Sequence, residues 1–216
     1  MKKIAVILSG CGVYDGAEIH ESVLTLFAIE RAGASWQCFA PDMPQLHVVN
    51  HLTGEVAEDE TRNVLIESAR IARGNVKNVA ELSAADFDAV ILPGGFGAAK
   101  NLCDFAINGA DCSINADVKA AVSSFADAKK PVGFVCIAPV MIPMIYDGAK
   151  ATIGNDEETA KAVEAMGATH IACPVDEFVI DEEMKIVSTP AYMLAGSISE
   201  ANSGIERLVE KVIAWA

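Results

Sequence analysis

Short, wholly apolar runs alternate with helical apolar stripes along the whole chain, and that alternation restricts the fold more than any other feature. Residues 4–8, IAVIL, form an unbroken apolar run that ends in Ser-Gly-Cys-Gly, as expected of a strand buried on both faces. Ile19, Val23, Leu26 and Phe27 then recur at helical spacing and predict one apolar face of a helix that Gly33 ends after Arg31 and Ala32. Residues 36–40 read as the next strand, 61–72 as a helix, and 89–92 and 132–135 as further buried strands. Val118, Ala121, Val122 and Phe125 form one more helical stripe, and Ile205, Leu208, Val209, Val212 and Ile213 form another. Segment 41–60 is polar and turn-rich around a short run at 46–49, and 177–188 reads as an edge hairpin turning at 181–183. The expectation is one α/β domain over residues 1–216, with a doubly wound, mostly parallel sheet covered by helices on both faces. Its site should lie in the loops at the strands' carboxyl ends.

Composition narrows the function. With 52% hydrophobic residues among 216, a large core is available. A net charge of -14 with no basic run disfavours nucleic-acid and anionic-membrane partners. Lys2 and Lys3 precede an apolar run too short for a secretory signal. The apolar stretch 132–146 is broken by Gly133, Pro139 and Pro143 and is shorter than the ~20 residues that cross a bilayer. The reading is a cytoplasmic protein. Six cysteines, at 11, 38, 103, 112, 136 and 173, show neither paired nor Cys/His spacing, so reduced thiols are expected, with no metal site and no disulfide framework.

Three loops have the residues for chemistry. The strand at 132–135 stops at Cys136, where a new apolar, helix-compatible segment begins. A thiol at a helix N-terminus has its pKa lowered, and the Ile137 N–H would lie beside an oxyanion formed on an attacked carbonyl. From position alone, a buried structural cysteine is an equal reading. In the second loop, Gly94 and Gly95 follow the strand at 89–92 and can turn main-chain N–H groups toward a ligand; an ordinary strand-to-helix turn also fits. The third, 9–21, is glycine-rich and carries Glu18 and Glu21 at the start of a helix. They are either first-turn acids favoured by the helix dipole or acids pressed into a pocket, where desolvation raises the pKa toward neutrality. Glycines 10, 12 and 16 miss the dinucleotide spacing G-x-G-x-x-G by one residue.

Taken together, LPGGFGAAKNL at 92–102 and GFVCIAP at 133–139 resemble the PfpI and class I glutamine amidotransferase-like superfamily, which includes glyoxalase III-type enzymes. SGCGVYDGAEIHE at 9–21, NHLTGE at 50–55, ETRNVLIE at 60–67 and STPAYMLA at 188–195 look like its ElbB subfamily, described as glyoxalases or as isoprenoid-biosynthesis proteins with an amidotransferase-like domain. The resemblance spans essentially the whole chain. It implies a flavodoxin-like fold, Cys136 as nucleophile, Glu21 as the glutamate touching it, and Gly95 with Ile137 as oxyanion-site amides. Glu18 stays as the alternative acid, and a homodimer is the assembly the resemblance implies.

One departure matters. Many members carry a histidine that partners the cysteine, but the segment 151–156 has none, which argues against glutamine hydrolysis. His20 is the local substitute among histidines 20, 47, 51 and 170. The leading expectation is a weak, cofactor-free glyoxalase that turns glyoxal into glycolate through a hemithioacetal on Cys136, with a small aldehyde as its substrate. The alternatives are a redox or electrophile sensor, in which Cys11 approaches a low-pKa Cys136 as resolving thiol, and a noncatalytic regulatory domain.

Overall fold

The computed structural model describes residues 1–216. Its main sheet uses β1 (Lys3–Ile7), β2 (Ser35–Ala40), β3 (Val76–Asn78), β4 (Ala89–Leu92), β5 (Val132–Val135), β8 (Val179–Asp181) and β9 (Ile186–Thr189). They lie in the order β3-β2-β1-β4-β5-β9-β8, and every pairing is parallel except the β8/β9 edge hairpin. A separate two-stranded parallel pair joins β6 (Lys150–Ala151) to β7 (Thr169–His170). The helices are α1 (Ile19–Arg31), α2 (Val64–Ile71), α3 (Phe105–Asn108), α4 (Ala116–Asp127), α5 (Glu157–Ala165) and α6 (Ile198–Trp215). This is the flavodoxin-like arrangement. No helix is long and apolar enough to cross a membrane.

The strands are apolar throughout because each sheet face is covered. Ala5 and Ile7 of β1 join one core cluster with Phe39, Phe125 and Phe134, whereas Ile4 and Val6 join the opposite one with Ile91, Leu208 and Val212. The chain runs outward from β1 through β2 to β3, then returns to place β4 on the other side of β1. The crevice of a doubly wound sheet opens at such a reversal, outside the strands' carboxyl ends. The loops after β1, β4 and β5 converge there.

Two elements differ from their expected form. Helix α2 starts at Val64, because Asn63 caps it by accepting the Ile66 N–H while Met43 and Gln45 hold residues 62–64 in extended pairing. Helix α1 is turned away from its predicted face. Ile19, Val23 and Phe27 are exposed, and the buried side is Glu21, Ser22, Thr25, Leu26, Ala28 and Ile29. Polar residues are drawn inward because α1 packs on α6 and at the crevice, where Glu21 has partners that no apolar residue would satisfy.

Candidate functional site

The site is built around the abrupt end of β5. Cys136 has φ 62°, in the left-handed region, at a cost of roughly 1–2 kcal/mol for a residue with a side chain. The conformation is held because its N–H donates to the Thr189 carbonyl at 2.9 Å, extending the β5/β9 pairing one residue beyond the strand. The turn projects a thiol that is only 7% exposed, and the 3-10 segment Ala138–Met144 follows, with Pro139 and Pro143 inside it.

Glu21, fully buried in the first turn of α1, faces this thiol. Its Oε2 accepts the Gly94 N–H at 3.0 Å and its Oε1 accepts the Tyr192 N–H at 3.1 Å. Burial is the main reason its pKa rises to about 7; the nearby Glu18 adds to the rise, while the two amides and the Cys136 thiol oppose it. For Cys136, burial and then the Glu21 charge push the thiol well above its ordinary value, against the pull of the Gly95 and Ile137 N–H groups. The expected lowering by a helix N-terminus is therefore overturned: the helix is short, and burial of the thiol, then the Glu21 charge, outweigh it. The resting pair favours a neutral thiol beside Glu21, and a thiolate forms by passing its proton to that acid.

The glycines divide their work. Gly94 donates its N–H to Glu21, so it positions that acid instead of turning its amide toward a ligand. A Cβ there would lie 2.4 Å from the Cys136 Cβ and 2.7 Å from Glu21 Oε2, which leaves glycine as the residue that fits. Gly95, at φ +89°, and Ile137 are the two residues whose backbone N–H groups pull the Cys136 thiol downward. Glu18 caps α1, accepting the Glu21 N–H at 2.7 Å, and lies on the cavity rather than against the thiol. His20 bonds through Nδ1 to the Tyr192 hydroxyl at 2.8 Å and does not line the cavity with Cys136. Cys11 lies among Glu67, Arg70, Asp15 and Arg62, away from that lining, so the structure does not bring the two thiols together.

A cavity of about 410 Å³ opens over Cys136. Val13, Phe96, Ile137 and Met193 give it apolar walls, and Glu18 and Asp156 give it carboxylates. Sequence reasoning passed over Tyr192, Met193 and Asp156. Tyr192 and Met193 lie inside the STPAYMLA motif, which is the available signal, and Asp156 ends the segment 151–156 that lacks the partner histidine. No group of three or more His, Cys, Asp or Glu side chains is arranged to hold a metal ion.

A parallel α/β sheet with a cysteine on a strained strand-end turn, a buried glutamate against it and glycine-loop amides around it defines the amidotransferase-like class of protein. No family model matches the chain. It is 48% identical to the rat ES1 protein homolog, mitochondrial, over 98% of this chain and 83% of that protein. It is 47% identical to human glutamine amidotransferase-like class 1 domain-containing protein 3, mitochondrial, over 98% and 82%. The crystal structure of an isoprenoid biosynthesis protein with amidotransferase-like domain from Ehrlichia chaffeensis superposes with TM-score 0.93 at 37% identity, covering 100% of this chain and 99% of that one. The chain belongs to this ES1 and glutamine amidotransferase-like class 1 family.

The same comparisons correct the cytoplasmic expectation, since the rat, human and zebrafish relatives are all named mitochondrial proteins. Lys2, Lys3 and the short apolar run after them speak only to secretion, whereas import into an organelle is addressed by amphipathic, arginine- and serine-rich segments.

Proposed function

We propose that this protein is a cofactor-independent glyoxalase that converts glyoxal and water to glycolate. The observation that carries the reading is Glu21, an acid raised to about 7, meeting the Cys136 thiol beside the Gly95 and Ile137 N–H groups. The sulfur adds to one aldehyde carbon as the S–H proton passes through Glu21 to the carbonyl oxygen, giving a hemithioacetal. During addition the charge on that oxygen is stabilised by the two amides. Glu21 then takes the C–H proton of that carbon and returns a proton to its neighbour through an enediol. The first carbon is thereby oxidised to a thioester and the second reduced to an alcohol, with no outside oxidant. Water cleaves the thioester, releases glycolate and restores the thiol. Both proton transfers use one acid, which suits a site with no histidine on the cavity.

The raised Cys136 thiol weighs against the sensor reading, which needs a low-pKa sulfur. Glycolate formation from glyoxal by purified protein tests the proposal, because loss of aldehyde alone also reflects adducts on lysine and arginine. Glycolate no faster than in a protein-free control would sink it.

A further inference from the structure

Glyoxal, with two carbons and two oxygens, occupies a small part of the space over Cys136. The cavity of about 410 Å³ falls in the ~300–1,000 Å³ range of sites that enclose far larger ligands. Its walls have two characters. The side chains of Val13, Phe96, Ile137 and Met193 form an apolar surface that takes no part in the bond changes at sulfur. Glu18 and Asp156 are the only charged side chains on the lining.

No cationic partner is bonded to either carboxylate. One oxygen of Asp156 caps α5 by accepting the Thr159 N–H at 2.8 Å, and its bonds to Thr159 lower its pKa. Glu18 Oε2 is occupied by the Glu21 N–H, while Oε1 lies 4.0 Å from His20 Nδ1. Neither meets a lysine or arginine within ion-pair distance, since Glu18's only such neighbour is His20 and Asp156 has none. Two flanking groups stay off the lining: His20 is bonded to the Tyr192 hydroxyl, and Lys100 donates to the Tyr14 carbonyl at 2.9 Å with its Nζ 5.4 Å from the Phe96 ring centroid. A ligand carboxylate or phosphate would enter against two like charges and find no compensating cation. A ligand cation would meet both.

We propose that the site takes an α-oxoaldehyde bearing an apolar body and a cationic group, with Glu18 and Asp156 as the residues that set this charge preference. The reaction at sulfur is the one above with the second aldehyde replaced by a ketone, R–CO–CHO plus water giving R–CHOH–COOH. The inference rests on the glyoxalase reading for that chemistry and adds the substrate class.

Three phenylglyoxals that differ only in the para substituent test it: trimethylammonium, hydrogen and carboxylate. Formation of the matching mandelate is followed at low ionic strength. The expected order of kcat/KM is cation, neutral, anion, with about tenfold or more between the ends and a spread that narrows as salt is raised. Glu18→Gln with Asp156→Asn retains both capping oxygens and should bring the three within about threefold of one another. A flat or reversed order in the wild type overturns the inference, even with glyoxal turned over and the glyoxalase reading intact. If neither glyoxal nor any phenylglyoxal is turned over, the glyoxalase reading and the substrate class both fall. The charge preference is then decided by binding of the matching acetophenones through thermal shifts: the same order supports it, and no order overturns it.

Discussion

Cys136 and Cys11 both follow strands of the parallel sheet at its carboxyl edge, both have glycines beside them, and burial raises both thiols. Their acids differ. Glu67, which adds to the rise at Cys11, is already claimed by Arg70 at 2.7 Å and by Arg62 at 3.7 Å. Glu21 is fully buried with two backbone amides and no cation. Glu67 is held by two arginines, whereas Glu21, held by amides in a dry place, exchanges protons near neutral pH. The contrast teaches that a thiol at a strand end becomes a candidate nucleophile through the acid beside it, and neither the cysteine nor the loop suffices.

The comparison breaks first at the sulfurs. Cys136→Ser should lower glycolate formation by about 10³ or more, while Cys11→Ser stays within about twofold. Equal losses in steady-state assays of the two variants would end the distinction. Next comes the acid: Glu21→Gln should cost about 10² to 10⁴ in kcat/KM, against less than about threefold for Glu67→Gln.

The glycines should separate by stability. A Cβ at Gly95 would meet the Glu18 backbone nitrogen at 2.3 Å and the Gly16 carbonyl at 2.5 Å, whereas one at Gly10 meets the end of the Gln45 side chain at 3.0 Å and the Gly16 Cα at 3.1 Å. Denaturant melts should show Gly95→Ala losing roughly 3 kcal/mol or more and Gly10→Ala roughly 1–2 kcal/mol.

The smallest effect is in pH. Glu21 has a folded pKa raised above its unfolded value, so its protonated form stabilises the fold at low pH. That contribution is lost as pH rises from about 4.5 to about 7. The span corresponds to roughly 3 kcal/mol at most, less as the shared proton with Cys136 compensates. Melts of wild type and Cys11→Ser should fall together across this window, and Glu21→Gln should fall less. Activity should move oppositely, with kcat/KM climbing toward a limb near 7 as Glu21 becomes the base.

Much of this was legible in the sequence. Wholly apolar runs mark parallel strands, and the stop at Cys136 after GFV and the paired glycines after β4 marked two of the converging loops. The face of α1 was not legible, because periodicity counts apolar residues and is blind to a buried glutamate whose partners lie on distant loops. The thiol's direction was not legible either, as a helix end is local but burial of the thiol and the charge from residue 21 come from the tertiary fold. Tyr192 escaped because its contribution to Glu21 is a backbone N–H, which any residue type carries.

That acid also sets an order of events. Glu21 is tied to residue 94 and to residue 192, separations of 73 and 171 in the chain. Contacts of such range close late, after the intervening strands have docked. A chain still lacking β9 and the turn after it would have β1, α1 and a cysteine at 136, yet its Glu21 would lack the Tyr192 N–H. The reactive pair would come into being only with the last strand, so nascent or locally opened forms would carry an ordinary thiol and an ordinary carboxylate.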